Sequence, residues 1–148
     1  GLLAGEPERV QHLTNLYWKS ANEAGHDLSK LQVSVTGHGY IASDGEQAMH
    51  EFTPHYNQYM THFMKDRGQF FSPVTTHQMM PQRAANQILA VGSAEELAEK
   101  ILYQHELFGH TRFMGQFDMG NQPLARVEKA IDLLANKVAP LVRKALNK

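Results

Sequence analysis

Two short runs of alternating residues end in polar side chains that could do chemistry together. The first run, residues 31–36, leads to His38, and the second, residues 112–118, contains Gln116 and Asp118. The apolar members of both runs have the opposite parity: Val33, Val35, Phe113 and Phe117. Since alternate side chains of a strand point to opposite faces, the pattern predicts that the three polar residues share one face. An imidazole at that position can transfer a proton near neutral pH.

Each of these polar residues also has a purely structural interpretation. His38 and Gln116 can satisfy one another or the loop backbone, as buried polar groups usually must, and the sequence does not decide between this role and a functional one. Asp118 begins the turn Asp-Met-Gly-Asn-Gln-Pro, where a carboxylate commonly caps the backbone. For Asp118 the structural interpretation is favoured.

The second half of the chain predicts a capped helix that leads into a strand. Ser93 and Glu96 have the spacing of a capping box, and Gly109 is placed to end the helix. A strand is predicted over residues 112–118, and a further helix begins at Leu124. This alternation of helices and strands is typical of a β/α architecture.

The predicted strands 31–36 and 112–117 should be parallel, because helices intervene and hairpin turn signals are absent. Residues 1–4, Gly-Leu-Leu-Ala, have the composition of the end of another strand. A first helix is predicted from Pro7, which suits a first helical turn, to the terminator Gly25.

Residues 43–89 are predicted to be helical but interrupted. Ser43 and Glu46 form a second candidate capping box, and Pro54 predicts either a kink or a fresh helix start. Gly68, Pro73 and Pro81 divide the remainder into short pieces. A long excursion of this kind is typical of an insertion at the mouth of a barrel.

Several different short motifs are distributed along the whole chain. The second half of the chain has a helix start at Gly92, Ser93, Glu95 and Glu96, followed by a Phe-Gly turn at Phe108 and Gly109. An Arg-Phe strand at Arg112 and Phe113 comes next, and a last helix contains the Val-x-Pro motif Val138, Ala139 and Pro140. Upstream motifs comprise Leu16, Tyr17, Ala21, Ala24 and Gly25, then His38, Gly39, Tyr40, Ile41 and Ala42. Together these motifs span nearly the whole chain and resemble those of the luciferase-like family of flavin-dependent monooxygenases.

The resemblance implies an α/β fold, namely the C-terminal portion of a (β/α)8 TIM barrel with few parallel strands and several helices. A complete barrel of this type takes about 250 residues. We therefore interpret residues 1–148 as a single domain that forms the C-terminal part of a larger enzyme. Its helical insertion lies around residues 43–89.

The resemblance also implies a flavin-dependent monooxygenase that oxidises a small organic substrate with dioxygen. Its cofactor would be reduced FMN, usually delivered by a separate flavin reductase, or in some branches the deazaflavin F420. Within this framework His38 is the candidate catalytic residue, and Gln116 and Gly5 are candidate cofactor contacts. Gly5 lies between a predicted strand and a helix, where backbone can approach a phosphate, although a plain turn is the favoured alternative. A non-catalytic partial barrel that serves in assembly or interaction is the rival function.

Composition excludes several other classes of function. Lys plus Arg number 14 against 15 for Asp plus Glu, so the net charge of -1 gives no reason to expect a nucleic-acid or anionic-membrane partner. The absence of cysteine excludes disulfides and zinc-thiolate sites. No apolar run approaches the roughly 20 residues that span a bilayer. A cytoplasmic location is the default expectation.

The 9 histidines predict no metal site. His105 and His110 are five residues apart, as are His50 and His55, whereas a helical zinc site needs two histidines four residues apart. Solvated helix histidines are the expected alternative. A partial barrel would expose strand edges and apolar faces, so we also expect a homo-oligomer, with the helix at 56–64 contributing to the contact.

Overall fold

The computed structural model describes residues 2–3 and 6–147 and contains four strands and six α-helices in that part of the chain. The strands are β1 (Leu2–Leu3), β2 (Ser34–Ile41), β3 (Ala90–Gly92) and β4 (Arg112–Gln116). The helices are α1 (Pro7–Glu23), α2 (Gly45–Lys65), α3 (Thr76–Met79), α4 (Ala94–Phe108), α5 (Leu124–Leu133) and α6 (Ala139–Ala145). Short 3₁₀ segments lie at Leu28–Lys30 and Met80–Arg83, and a π-helical turn, Leu134–Val138, joins α5 to α6.

Strand β2 is the centre of a parallel sheet. Both β1 and β4 pair with its residues Val35 and Thr36, so they must occupy opposite edges of β2. The short strand β3 pairs with residues 39–41 near the end of β2. The predicted parallel pairing of the strands in the 31–36 and 112–117 regions is thereby confirmed. The order β1-β2-β4, with helices between successive strands, is that of part of a (β/α)8 barrel.

The strand boundaries differ from those predicted. Strand β2 begins at Ser34, where its ladder with β4 starts, and it continues through Gly37 and Gly39 to Ile41. Glycine is unfavourable within strands, yet Gly37 and Gly39 both belong to this one. Strand β4 ends at Gln116, before the predicted limit at Asp118.

Strand β3 was not predicted from the sequence. It has three residues, Ala90–Gly92, all of them buried, so it shows no alternation between polar and apolar side chains. Periodicity does not distinguish so short an apolar run from the beginning of the helix that follows it.

The start of α2 also corrects the sequence analysis. Its N-cap is Asp44 and not Ser43. The side chain of Asp44 accepts a hydrogen bond from the backbone N–H of Gln47 at 2.8 Å. Both residues are good caps, and the carboxylate of Asp44 takes the position. The helix then runs unbroken through Pro54, so the fresh helix start does not occur. Pro54 is exposed, and burial of the neighbouring Phe52 stabilises the helix against the missing hydrogen bond.

The predicted boundaries of α1 and α4 are confirmed. Helix α1 begins at Pro7 and is followed by Gly25 with φ +74°. In α4, Ser93 and Glu96 form a complete capping box. Gly109 ends this helix in the left-handed conformation, with φ +60°.

Two groups of buried side chains hold the elements together. The smaller group comprises Val33, Val35 and Phe108, with Val10 and Trp18 packed against it. It confirms that one face of β2 packs against helices, as the alternation predicted. The larger core joins α2, β3, α4 and α5 through residues that include Phe52, Val91, Leu97, Phe117 and Ala130.

A buried lysine cross-links α4 to the segment before β3. Lys100 is 1% exposed, and its ammonium group donates to the backbone carbonyls of Ala84, Ala85 and Gln87, the last at 2.8 Å. Burial lowers the pKa of Lys100 to about 8, although Glu96 and Glu99 favour the charged form. The contacts give an irregular segment the backbone hydrogen-bond partners that it would otherwise lack.

None of the described helices is both long and apolar enough to cross a bilayer.

The loop after β4 is held against α2 at Gly120. The Nδ1 atom of His55 lies 2.8 Å from the carbonyl oxygen of Gly120, and a Cβ added at Gly120 would lie 1.8 Å from the carbonyl oxygen of His55. Only glycine permits this approach. Its φ of +61° is also a conformation that other residues rarely adopt.

We expect Gly120→Ala to destabilise the protein by about 3 kcal/mol or more, because the methyl group must displace backbone. Gly68→Ala is the matched control, since Gly68 also has a positive φ, +67°, but no atom within 4 Å of its Cβ position. The control should lose only about 1 kcal/mol from backbone strain. Equilibrium urea denaturation measures both losses, and equal losses would contradict the close contact at His55.

Candidate active site

The carboxyl half of β2 and the carboxyl end of β4 bring two of the predicted site residues together. His38 and Gln116 are register partners on adjacent parallel strands, and both are half-buried. Asp118 lies two residues beyond the end of β4 and is exposed, so it does not share this pairing. Gly5 lies outside the residues that the structure describes.

The ring of His38 packs against Tyr59 of α2. The ring centroids are 5.6 Å apart with an interplanar angle of 75°, an edge-to-face arrangement. Burial lowers the pKa of His38, because the charged imidazolium loses hydration there. His38 is therefore held as a neutral imidazole at pH 7, able to accept a proton or to donate one hydrogen bond.

An aromatic row continues outward from His38 along α2. The rings of Tyr59 and Phe63 stack with centroids 5.7 Å apart, and the guanidinium carbon of Arg67 lies 3.6 Å from the centroid of Phe63. Tyr59 also packs against the main core. Tyr59 therefore contributes to the core and also lies as an apolar ring beside His38.

A second polar group lies two residues further along β2. The hydroxyl of Tyr40 donates to Oε2 of Glu51 at 2.6 Å, and the side-chain amide of Gln47 donates to Oε1 of Glu51 at 3.0 Å. Although burial opposes ionisation of Glu51, the hydrogen bonds from Tyr40 and Gln47 lower the pKa of this carboxyl. Burial, followed by the contact with Glu51, raises the pKa of Tyr40. Tyr40 is therefore a fixed hydrogen-bond donor that fastens α2 to the sheet.

Gln122, in the loop that follows β4, was missed by the sequence analysis. It is 8% exposed, and neither the nitrogen nor the oxygen of its amide has a hydrogen-bond partner in the described structure. Buried polar atoms without partners are uncommon and call for an explanation, such as a ligand or water. The sequence signal was present as an amide beside Pro123 in a loop at a strand end, but its burial depends on distant contacts.

The histidines outside this region form no metal-binding group among residues 6–147. The expectation that they are all solvated is wrong for His110, which is 3% exposed. Nδ1 of His105 lies 2.7 Å from the carbonyl oxygen of His110, and the two rings are 5.6 Å apart. His55 is committed to the Gly120 carbonyl.

The arrangement presents hydrogen-bonding groups beside an apolar ring. His38 and Gln116 offer a neutral imidazole and a carboxamide on one half-open face, and Tyr59 adds an apolar ring beside them. An amide supplies both donors and an acceptor, so it matches a ring edge that carries carbonyl and N–H groups. No charged side chain is required for this recognition.

The sequence and the structure were compared with those of known proteins. The model of the luciferase-like monooxygenase family matches residues 1–111. The structure is similar to that of monooxygenase RslO1 from Streptomyces bottropensis, with a TM-score of 0.68 and 20% identity over 92% of this chain and 39% of that one. No protein with a curated description matches the sequence.

Two further solved structures share the fold. Coenzyme F420-dependent tetrahydromethanopterin reductase from Methanopyrus kandleri has a TM-score of 0.61 and 17% identity, over 93% of this chain and 43% of that one. The oxygenating constituent of 3,6-diketocamphane monooxygenase from Pseudomonas putida, a type II Baeyer-Villiger monooxygenase in complex with FMN, has a TM-score of 0.58 and 20% identity. In that case 91% of this chain and 40% of the other are covered. The chain thus spans about two fifths of the length of these structures.

We expect His38 to titrate below its ordinary pKa of 6.5, and Tyr59→Ala to move the pKa back upward by exposing the ring. The unfolded chain binds a proton at His38 more readily than the folded chain does. Lowering the pH through 6.5 should therefore reduce the contribution of His38 to the free energy of unfolding. NMR titration of the imidazole Cε1–H signal measures the shift in both proteins. A wild-type pKa at or above 6.5 would contradict the burial of His38.

Proposed function

Because this chain belongs to the luciferase-like monooxygenase family, we propose that it forms part of the barrel of an oxidoreductase that oxidises a small organic substrate with reduced FMN and dioxygen. The observation that carries the proposal is the pairing of His38 with Gln116 in the carboxyl halves of adjacent parallel strands. This is the end of a (β/α)8 barrel where catalytic residues are found.

The residues at this end suit the isoalloxazine ring of a flavin. Gln116 is positioned to bind the carbonyl and N–H groups along its pyrimidine edge, and Gln122 has unpartnered amide atoms in the loop that follows. When bound, reduced FMN supplies the electrons that activate dioxygen. A deazaflavin such as F420 presents the same polar edge and is the alternative cofactor, and a separate flavin reductase is the proposed source of reduced FMN.

His38 is the proposed catalytic residue. Held neutral by burial, it can accept a proton from the substrate or donate a hydrogen bond to it near neutral pH. Tyr59 and Phe63 extend an apolar wall from His38 along α2. Such a wall excludes water from the reacting groups and favours an apolar substrate.

We expect His38→Ala and Gln116→Ala each to lower flavin affinity or turnover by about 5- to 150-fold, the equivalent of a lost hydrogen bond of about 1–3 kcal/mol. Ser34→Ala is the matched control, since Ser34 lies on the same face of β2 but at its opposite end. Fluorescence titration with FMN, and separately with F420, measures affinity in the 148-residue chain and in the same chain joined to the preceding part of a family barrel. Oxygen consumption measures turnover in the joined protein.

Affinity should be weaker in the chain alone, because it spans only about two fifths of the related structures. Tight FMN binding by the chain alone would show that the site is divided differently. If both alanine variants lowered thermal stability but left flavin affinity and turnover unchanged, His38 and Gln116 would have the structural role.

A second candidate function is assembly or interaction without catalysis. The observation that favours it is a set of exposed apolar side chains on α1, in which Leu13 is 46% exposed, Leu16 58% and Tyr17 41%. Apolar surface on one helix is typical of a contact with another protein. The helix at 56–64, which we also expect to contribute to such a contact, packs the partly buried Tyr56 and Tyr59 against the main core.

We therefore expect the protein to form a homo-oligomer at micromolar concentration, and Leu16→Glu to dissociate it by placing a charge in the contact. Leu124→Glu is the control, because Leu124 is 71% exposed but lies on α5. Light scattering with size-exclusion chromatography measures the mass of each protein. A wild-type monomer would contradict the oligomer, and dissociation by both variants would contradict a specific contact through α1.

A further inference from the structure

A cavity lies between α4, the amino end of β4 and the C-terminal helices. Its volume is about 420 Å³, within the range of small-molecule sites. Apolar side chains form most of its lining: Ile101, Phe113, Leu134, Val138, Ala139, Val142 and Leu146. Two of them, Leu134 and Val138, are the first and last residues of the π-helical turn, a distortion that often accompanies functional sites.

Two arginines, two histidines and Thr111 complete the lining, with no acidic residue among them. Arg112 and Arg143 are exposed at the cavity, and the ion pairs found among residues 6–147 involve other cationic side chains. Two guanidinium groups beside an apolar cavity favour a ligand that is anionic at one end and apolar at the other. Arginine suits a carboxylate in particular, because its fork of donors can bind both oxygens.

His110 supplies a third polar group. It lines the cavity and is 3% exposed, and its Nδ1 atom has no hydrogen-bond partner in the described structure. The neighbouring His105 is already bonded to the carbonyl oxygen of His110. A buried ring nitrogen without a partner is uncommon, so a ligand that supplies one is bound more favourably.

The cavity is separate from the proposed active site. Arg112 is the first residue of β4 and Gln116 the last, so about 13 Å of strand lies between the two ends. We propose that this cavity binds a small amphipathic carboxylate, with its alkyl chain among the apolar side chains and its carboxylate on Arg112 and Arg143. The proposal does not depend on flavin binding.

Isothermal titration calorimetry with octanoate tests the proposal on the 148-residue protein. Acetate supplies the charge without the chain, and 1-octanol supplies the chain without the charge. Octanoate should bind saturably and at least tenfold more tightly than either probe. Arg112→Gln and Arg143→Gln should each weaken octanoate binding about tenfold, the effect of losing one charge-assisted hydrogen bond.

Two further variants separate binding in the cavity from binding elsewhere. Val142→Phe fills the cavity without removing charge and should abolish octanoate binding. Arg9→Gln removes an exposed arginine from α1 and should leave binding unchanged. Circular dichroism confirms the folding of each variant. The proposal is overturned if octanoate shows no saturable binding, if 1-octanol binds as tightly, or if folded Val142→Phe binds octanoate like the wild type.

Discussion

The absence of a side chain at Gly39 is the constraint on which the arrangement of this molecule depends. A Cβ at this position would lie 2.6 Å from the carbonyl oxygen of Ala90 and 2.8 Å from Cε1 of Phe117. The ring of Phe117 also covers Gly115, whose added Cβ would lie 2.5 Å from Cζ. The two glycines therefore let one aromatic ring lie close to the backbones of two adjacent strands. Because Phe117 directly follows β4, its position also determines where the loop carrying Gly120 and Gln122 begins.

The opposite face of the same strands carries the polar groups. At the helix-facing positions of β2, Val35 is followed by Gly37 and Gly39, and the burial of all three excludes water from that side of the sheet. The other parity carries Thr36, His38 and Tyr40, of which Tyr40 fastens α2 and His38 remains half-buried. A barrel strand packed in this way separates its structural contacts from its polar groups. Substitutions on the two faces should consequently affect different properties.

Much of the fold could be predicted because its signals are local. A capping box needs two residues three positions apart, so Ser93 and Glu96 identified the start of α4 from the sequence alone. Alternation likewise placed Val35 against helices and His38 on the same face as Gln116. The errors arose where two local signals competed, as at Ser43 and Asp44, or where an element was too short for a period, as in β3. Tertiary packing decided those cases.

The parts of the candidate site that could not be predicted depend on long-range contacts. Nothing near Tyr59 in the sequence indicates that its ring meets His38, 21 positions away. Gln122 is likewise buried in a loop whose Gly120 is held against His55 of α2. Lys100 presents the same difficulty, since a lysine on an amphipathic helix is normally solvated. Its partners are three carbonyls from residues 84–87, a segment without regular structure or sequence pattern. These hydrogen bonds could be recognised only from the three-dimensional structure.

The burial of Lys100 also makes its amine a natural reporter of local motion. Reagents that acylate lysines attack the neutral, accessible amine, and this amine is hydrogen-bonded and 1% exposed in the folded chain. Modification of Lys100 consequently requires the segment at 84–87 to separate from α4. The rate of its labelling, relative to that of exposed lysines, would measure the opening of that segment directly. The segment leads into β3 and thence to the carboxyl end of β2, so the same opening would loosen the support of the proposed active site.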